Sequence, residues 1–489
     1  MNKFKRKSLY LALAAGIGAV GVAGSASAVN IAPNGLGQVL IYPYYTVRGG
    51  TDTALSVVNT TASGKAVKVR FTEGKNSREV LDFNLYLSPH DAWSGMVTAT
   101  ADGAKIITND NSCTAPAITK GSTNGQAFVN YAYAGAVLEG IVDSGGDGES
   151  ATLDRTREGY FEIIEMGTIT NPAILAAITH NSAGTPANCS LVSGSIDMSV
   201  ATGGANAVGV LTGGLSGAAT LINVAAGTDY SYEPVVLASF RNAASLGAWY
   251  APGSIRPDMR DARPVTSIVF KTGSTVTTDW AASSTRSTDY DSVNAVSALL
   301  MHHHLINEYV LDTITASGTD WVITMPTKRY YVPVDSTPLA QTIYAPFTTS
   351  FYTGGACEPM TLAQYNREEQ TVSTPGGFSP PAPGPAGTSL CWESTVMTFK
   401  NSNNLNSSNS VNFDVSYENG WANITFTQSY ASLLAAPLSV PAGVHTYVGL
   451  PTVGFMFADY VNGNVGGVLA NYAGSVKHNY TSNINGVSD

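Results

Sequence analysis

The sequence is poor in charged residues: Lys, Arg, Asp and Glu make up only 12% of its 489 residues, about half of the usual share. The charges are also unbalanced, and the formal net charge is -10 at pH 7. Nucleic acids and anionic lipid surfaces repel a chain of this sign, so the sequence predicts no nucleic-acid partner. A surface with few charges and many small polar groups favours wide contacts between protein molecules.

Signatures of catalysis are missing as well. The sequence has no G-x-S-x-G, S-x-x-K or H-E-x-x-H motif, patterns that set a nucleophile or a metal site in a fixed geometry. Glu368 and Glu369 are adjacent, so their carboxylates point in different directions and do not face one substrate. A pair of catalytic carboxylates contributed by distant strands, as glycoside hydrolysis uses, is not excluded by the sequence. We therefore predict that the chain is not an enzyme, with a secreted hydrolase as the less favoured alternative.

The first 28 residues predict export. The positive head consists of Lys3, Lys5, Arg6 and Lys7. The apolar stretch Leu9 to Ala23 follows, and Ala26-Ser27-Ala28 supplies the small residues of a signal-peptidase cleavage site. A retained membrane anchor is the alternative, but the glycines and the short apolar core argue against it. Removal of residues 1–28, which contain four basic and no acidic residues, would change the net charge to -14. The mature protein is predicted to be extracellular or on the cell surface.

Cysteine is scarce, and its spacing excludes the compact C-x-x-C metal sites. The four cysteines are Cys113, Cys189, Cys357 and Cys391. An exported chain meets an oxidising compartment, so two disulfides are expected, and four cysteines allow three pairings. We favour Cys113 with Cys189 and Cys357 with Cys391, because each bridge then closes a loop within one half of the chain. Loops of this length give about 4 kcal/mol of stabilisation per bridge in the chain-entropy description.

The dominant pattern is an alternation of period two, rich in β-branched and aromatic residues. In the stretch AVKVRF, Val67, Val69 and Phe71 point one way while Lys68 and Arg70 point the other, which predicts a half-buried strand. The fold class is therefore mainly β: antiparallel β-sandwich domains with a few short helices and long loops rich in Gly and Pro. The stretch from Val411 to Phe426 predicts a hairpin that turns at Asn419-Gly420.

Few segments predict helices. Asn171-Pro172 is typical of a helix start and is followed by a helical pattern to His180. A second helix is predicted to begin at Asp291, and Thr361–Gln370 is a third candidate. The uncharged, glycine-rich stretch Ala207 to Gly227 is better explained as a buried hairpin than as a membrane span, so the protein is predicted not to span a membrane.

The length predicts two domains after the signal peptide at 1–28. We place a β-rich domain with loop insertions at 29–240 and a second β-rich domain at 241–489, because each segment then holds one predicted disulfide. The second contains a Pro-rich loop at 373–389, whose prolines lack the donors that a helix or a sheet needs. We interpret it as a surface loop tethered by the bridge, with a domain linker as the alternative.

Two groups of residues are candidates for binding a metal ion. His302, His303 and His304 are adjacent, so their imidazoles diverge on a strand or on a helix, and a structural role is favoured over ligation. The stretch DSGGDGESATLD is the better candidate. It partly matches a calcium-binding loop, with Asp143, Asp147, Glu149 and Asp154 at positions one, five, seven and twelve. Position three is glycine and position twelve is Asp instead of Glu, so a solvated acidic turn is the alternative. Calcium is the one candidate cofactor.

Several stretches together resemble a group of exported, largely uncharacterised surface proteins of Gram-negative bacteria. They are VLIYPYYTVRGG, AVKVRFTEGKNSREVLDFNLYLSPHDAW, REGYFEIIEMG, NEYVL, DWVITMPTKRYYV and GLPTVGFMFADYVNG. The resemblance implies a β-rich, exported protein without assigned catalysis. Its motifs are strand and turn sequences, and they carry over no functional residue.

These observations lead to one main functional hypothesis. A secreted structural protein that assembles with copies of itself, as a surface layer or a filament, fits the export signal, the low charge, the strand pattern and the missing chemistry. The alternative is a surface adhesin or carbohydrate-binding module that uses exposed aromatic residues, and its candidates are Tyr44, Tyr45, Trp249 and Tyr250. Cell-envelope components or glycans are the further candidate partners. Sequons at Asn59, Asn188, Asn406, Asn423 and Asn479 leave glycosylation open.

Overall fold

A computed structural model describes most of the chain. The described residues are 28–135, 146–193, 208–242, 247–281, 287–332, 343–351, 355–370, 388–431, 445–485 and 487–488. The predicted signal segment therefore lies outside them except for Ala28, and so does the Pro-rich loop except for its last two residues. With 48% of residues in strands and 10% in helices, the fold is mainly β, as predicted.

The first part of the chain forms two large sheets. Its strands are β1 (Asn30–Ile31), β2 (Val39–Thr46), β3 (Asp52–Asn59), β4 (Lys65–Glu73), β5 (Glu79–Leu87), β6 (Ala92–Ala99), β7 (Ala104–Ile107), β8 (Cys113–Ala115), β9 (Gln126–Ala127), β10 (Glu158–Thr168), β11 (Leu215–Asn223), β12 (Thr228–Tyr232) and β13 (Val235–Ala238). The first sheet has the order β1-β13-β2-β10-β4-β5-β8, and the second has the order β12-β11-β3-β6-β7-β9. All pairings within them are antiparallel.

These two sheets share one hydrophobic core. Leu40 and Phe161 of the first sheet pack in the same cluster as Leu55 and Val97 of the second. Strand β3 alternates strictly between buried and half-exposed residues, which is the pattern of a sheet with one solvated face. The second sheet therefore covers one side of the first, as in a sandwich.

The prediction that AVKVRF forms a half-buried strand is wrong. It lies in β4, which is buried along its whole length and on both faces. The charged face is covered by the segment 250–262: Lys68 donates to the carbonyl of Ala251 at 3.0 Å and Arg70 to that of Pro257 at 2.9 Å. Alternation shows that two faces differ in polarity, but tertiary packing decides whether the polar face meets water.

The second part of the chain forms smaller sheets. Its strands are β14 (Thr266–Lys271), β15 (Ser274–Asp279), β16 (Met301–His302), β17 (His304–Val310), β18 (Ser317–Thr324), β19 (Glu358–Asn366), β20 (Thr388–Leu390), β21 (Ser394–Phe399), β22 (Ser410–Phe413), β23 (Asn419–Thr425), β24 (Ser429–Ala431), β25 (Thr446–Val448), β26 (Leu450–Pro451), β27 (Val453–Val465), β28 (Val468–Lys477), β29 (Asn479–Thr481), β30 (Asn483–Ile484) and β31 (Val487–Ser488). The third sheet has the order β20-β19-β23-β17-β29 and the fourth has the order β22-β21-β18-β27-β28. Strands β24, β25, β30 and β31 form a smaller sheet, and β14 pairs with β15 as β16 does with β26.

Helices are few and short, as predicted. They are α1 (Pro172–Ile178), α2 (Ser190–Ser193), α3 (Thr288–Leu299) and α4 (Lys328–Tyr331), with single 3-10 turns at Arg48–Gly50, Leu153–Arg157 and Met259–Asp261. The Asn171 side chain caps α1 by accepting from the backbone N–H of Ala173 at 2.9 Å, which confirms the predicted helix start. Helix α3 begins three residues before the predicted Asp291.

Two local predictions in the second part are wrong. Residues 358–366 form strand β19, so the predicted helix Thr361–Gln370 does not exist. Asn419-Gly420 does not turn a hairpin either, because it opens β23, which lies between β17 and β19. Strand β22 pairs in parallel with β21 instead. In both cases long-range pairing with strands distant in sequence overrides the local signal.

The predicted hairpin in Ala207–Gly227 is present in part. Strands β11 and β12 pair around the turn that ends at Gly227, while Ala207 lies outside the described residues. The hairpin is only half buried, since β11 exposes part of one face. Within the ranges that the structure describes, no helix combines the length and the apolarity that a membrane crossing requires.

Both favoured disulfides are present. Cys113 is bonded to Cys189 and Cys357 to Cys391, across sequence separations of 76 and 34 residues. The first ties β8 to the short helix α2, and the second joins the ends of the segment that contains the Pro-rich loop. Each bridge lies within one half of the chain, as predicted from the spacing.

Hydrophobic contacts cross the predicted division near residue 240. Val322 belongs to the core between the first two sheets, and Ile41 belongs to the core of the second part. Tyr232 stacks on Phe455 with ring centroids 4.5 Å apart. The division into 29–240 and 241–489 remains a prediction from the sequence, and these contacts join the two segments.

Candidate functional site

The three adjacent histidines separate into different surroundings. His302 is buried; its Nδ1 is 2.9 Å from Thr452 Oγ1 and its ring stacks on Tyr480. Burial lowers the pKa of His302 to about 3, so the ring packs as a neutral group. His304 Nδ1 is 3.1 Å from Asn423 Oδ1 on the neighbouring strand. Among the described residues no group of three His, Cys, Asp or Glu side chains is arranged to hold a metal ion. These contacts support a structural role for the run.

The acidic stretch begins outside the described residues, where Asp143 lies. Asp147 is buried and its Oδ2 lies 2.8 Å from the Arg155 guanidinium, which also lies 3.0 Å from Glu73. Burial by itself would raise the pKa of Asp147, but the hydrogen bonds and the charge of Arg155 outweigh it and hold the pKa below its usual value. Asp147 is therefore an internal partner of Arg155.

The two remaining carboxylates of the stretch are also paired. Glu149 lies 2.6 Å from the ammonium group of Lys75, and Asp154 lies 2.8 Å from the Arg48 guanidinium. Hydrogen bonds from Arg48 lower the pKa of Asp154. Asp147, Glu149 and Asp154 thus each contact a different cation, and a calcium ion would have to compete with these ion pairs. Calcium binding stays a prediction.

The aromatic residues predicted for glycan binding are buried or half buried. Tyr44 and Tyr45 are fully buried, and Tyr44 donates to Glu158 Oε2 at 2.8 Å. Trp249 and Tyr250 are half buried against the small core around the first disulfide. All of them serve packing, the role that aromatic residues most often have in a sandwich.

Sequence reasoning missed how many of the scarce charges are internal. Lys65 and Glu165 have side chains that are 0% exposed and are 2.7 Å apart, and Lys68 forms a 2.7 Å pair with Asp82. Glu162 is buried, and its carboxylate accepts no hydrogen bond from a described residue. A charged residue within an otherwise apolar strand sequence is the signal that could have indicated these buried ion pairs. The outer surface consequently carries even less charge than the composition suggests.

The candidate surface for association is the long hairpin formed by β27 and β28, which turns at Gly466 and Gly467. Strand β18 pairs with β27 only up to Tyr460, so the part from Val461 onward pairs with β28 alone and extends beyond the fourth sheet. Both turn glycines have positive φ, +61° and +86°, a conformation that favours glycine. The distal hairpin is therefore a two-stranded ribbon, and one face of β28 lies against the β11–β12 hairpin, where Asn471 donates to the Ala226 carbonyl at 2.6 Å.

This ribbon carries a group of exposed apolar side chains. The exposed residues are Val461, Val465, Val468, Leu469, Tyr472 and Val476. Val468 is 68% and Tyr472 62% exposed. Val468, Tyr472 and Val476 lie on one face of β28 because they alternate with the residues of its other face, and Val465 is in register with Val468. Contiguous apolar surface on a folded protein marks an interaction site. The hairpin can thus bury its apolar side chains against another protein surface.

A groove lies beside the root of this hairpin and has a volume of about 790 Å³. We call it the Trp421 groove; among its lining residues are Glu308, Arg367, Asn419, Trp421, Val476 and Asn479. It runs between the outer face of the third sheet and the root of β28. Its polar groups and one large aromatic ring make it a second surface that can bind a molecule.

Comparisons with known proteins give no further indication. No protein-family model, no curated protein and no solved structure matches this chain.

Proposed function

We propose that this chain is an exported structural protein that associates with copies of itself outside the cytoplasm, as a surface layer or a filament. The observation that carries the proposal is the β27–β28 ribbon with its exposed apolar side chains. Burial of such side chains stabilises association by about 25 cal/mol per Å² of apolar area removed from water.

Two further features support the proposal. Two disulfides are compatible with an oxidising compartment. Several charges of the strands are paired internally, for example Lys65 with Glu165, so they do not add to the charge of the surface that meets a neighbouring copy.

The test compares purified chains by sedimentation velocity and negative-stain electron microscopy over a range of concentrations, with calcium and with EDTA. The wild-type chain is expected to assemble, and Val468→Asp and Tyr472→Asp are expected to shift it to monomers. Phe270→Asp is the matched control, because Phe270 is 53% exposed but lies on β14, away from the ribbon. A wild-type chain that stays monomeric in all conditions, or ribbon variants that assemble like the control, would contradict the proposal.

A further inference from the structure

We infer that the Trp421 groove binds a neutral oligosaccharide. The central feature is a row of three side chains across adjacent strands of the third sheet: Glu308 on β17 is in register with Trp421 on β23, and Trp421 with Tyr365 on β19. Residues in register on neighbouring strands share a face of the sheet. The row therefore presents a carboxylate and two aromatic rings together on the outer face.

The aromatic rings are arranged to leave one indole face for a ligand. Trp421 and Tyr365 stack with centroids 4.3 Å apart and an interplanar angle of 15°. Tyr365 thus covers one face of the indole, while Trp421 remains 38% exposed and lines the groove. The ring face turned away from Tyr365 is directed to the Glu308 side of the row. A flat apolar surface of this kind matches the C–H face of a pyranose ring.

The polar groups around the indole match the hydroxyl groups of a sugar. Glu308 is exposed and forms no ion pair with a described residue. Asn419 Oδ1 has no hydrogen-bond partner in the described part of the chain, and Asn479 contributes an amide to the same lining. Carboxylates and amides fix the orientation of a polar ligand in an otherwise apolar site.

The charge of the groove favours an uncharged ligand. Its lining contains one carboxylate, Glu308, and one guanidinium, Arg367, so the two formal charges cancel. An anionic polysaccharide or a nucleic acid would in addition be repelled by the net charge of -10. The volume of about 790 Å³ lies within the roughly 300–1,000 Å³ that small-molecule sites have.

A peptide that adds a strand at this edge is the main competing ligand, and the backbone of β17 disfavours it. Beyond the end of β29, three main-chain groups of β17 already form hydrogen bonds to side chains of β18. Thr319 Oγ1 accepts from the N–H of Val310 and donates to its carbonyl, both at 2.9 Å. The Trp321 indole donates to the Glu308 carbonyl at 3.3 Å. Strand addition depends on free main-chain groups, so the groove is suited to side-chain recognition.

The experiment titrates the full chain with cellohexaose, maltohexaose and hexa-N-acetylchitohexaose as neutral probes and with hexagalacturonate as an anionic probe. Binding is measured by isothermal titration calorimetry and by ligand-observed saturation-transfer NMR. We expect at least one neutral probe to bind and hexagalacturonate not to bind. Trp421→Ala should weaken binding by about tenfold or more and Trp421→Phe by less, because loss of a stacking ring costs about 1–3 kcal/mol by analogy with bases stacked on aromatic side chains.

The controls distinguish a loss of binding in the groove from effects of self-association and of misfolding. Phe270→Ala removes an exposed ring elsewhere and should leave the affinity unchanged. Glu308→Gln keeps the shape of an exposed side chain and should weaken binding even if Trp421→Ala fails to fold. The titration is repeated on Val468→Asp, so that the result does not depend on self-association. No binding of any neutral probe, equal binding of hexagalacturonate, or unchanged affinity in folded Trp421→Ala and in Glu308→Gln overturns the inference.

Discussion

The hydroxyl group of Ser407 donates a 2.6 Å hydrogen bond to the buried carboxylate of Glu158, although 249 residues separate them in the sequence. The same carboxylate lies 2.6 Å from Arg48 and accepts from the backbone N–H of Ser408 at 2.9 Å. One side chain of the first sheet thus orders a loop of the second part. A carboxylate that is removed from water and bound by several donors couples the segments that supply those donors.

The first prediction concerns this coupling. Glu158→Gln removes the charge that pairs with the partly buried Arg48, and we expect it to lower the free energy of unfolding by about 3 kcal/mol. Both parts of the chain should still unfold in one calorimetric transition, because the contacts described above join them. Glu308→Gln, at an exposed carboxylate, is the control and should change stability by less than about 0.5 kcal/mol. Two separated transitions, of which Glu158→Gln moves only one, would show that the halves are independent.

The second prediction concerns pH. His478 donates through Nε2 to the Val322 carbonyl at 2.9 Å and lies 2.7 Å from the Asn307 amide through Nδ1. Burial lowers the pKa of His478 from 6.5 to about 4. The pKa of His478 is lower in the folded state than in the unfolded chain. The neutral, buried imidazole therefore contributes its full stabilisation of the fold above pH 6.5, and this contribution is lost as the pH falls toward 4.

We therefore expect acidification from pH 7 to pH 5 to cost about 2 kcal/mol at this one residue. Urea unfolding of the wild-type chain and of His478→Gln at both pH values measures it. The variant should lose about 2 kcal/mol less than the wild type between the two pH values. Equal losses in the two proteins would show that the imidazole is protonated as readily in the folded state as in the unfolded chain.

The third prediction concerns Gly420, where β23 lies close to the backbone of β19. A Cβ atom at this position would lie 1.8 Å from the carbonyl oxygen of Tyr365, so Gly420→Ala must separate the strands. We expect a loss of about 2 kcal/mol or more in stability. Because Tyr365 stacks on Trp421, we also expect weaker ligand binding in the Trp421 groove. Gly474→Ala on β28 is the matched control, since a Cβ atom there meets no atom within 4 Å. Thermal melts of both variants give the comparison, and equal melting temperatures would contradict the expected strand separation.

The fourth prediction concerns the disulfides. Replacing Cys113 and Cys189 by serine releases a loop of 76 residues, and replacing Cys357 and Cys391 releases one of 34. Chain entropy predicts that each change costs about 4 kcal/mol, with the longer loop slightly more costly. Denaturant unfolding of the two double variants checks the order. Reducing agent should lower the stability of the wild-type chain by the combined amount, and a chain whose stability does not respond to it would contradict the contribution of both bridges.

Several features of the fold could be predicted from the sequence because they depend on local patterns. The period-two alternation predicts the strands, Asn171-Pro172 predicts the start of α1, and the cysteine spacing predicts both bridges. The hairpin proposed at Asn419-Gly420 failed for the opposite reason. Asn-Gly is a local turn signal, but pairing of β23 with two strands distant in sequence requires a glycine in the middle of a sheet.

The candidate surfaces could not be predicted in the same way. Tyr44, Tyr45, Tyr365 and Trp421 are all aromatic residues within strand sequences. Tyr44 and Tyr45 are buried, whereas Trp421 lines a groove and Tyr365 supports it by stacking. An aromatic residue on a strand is typical of either a core or a binding face, and the sequence pattern does not distinguish which face another sheet covers.

The sequence by itself determined the mainly β character, the low and acidic charge and the cysteine pairing, because alternation, composition and spacing are properties of short or summed stretches of chain. Only the tertiary structure decided that Lys68 and Arg70 are internal, that β27 and β28 form a ribbon with exposed apolar side chains, and that Glu308, Trp421 and Tyr365 form one row. Each of these depends on which distant strands pair and in what register, and a shift of one residue would turn every side chain of a strand to the other face.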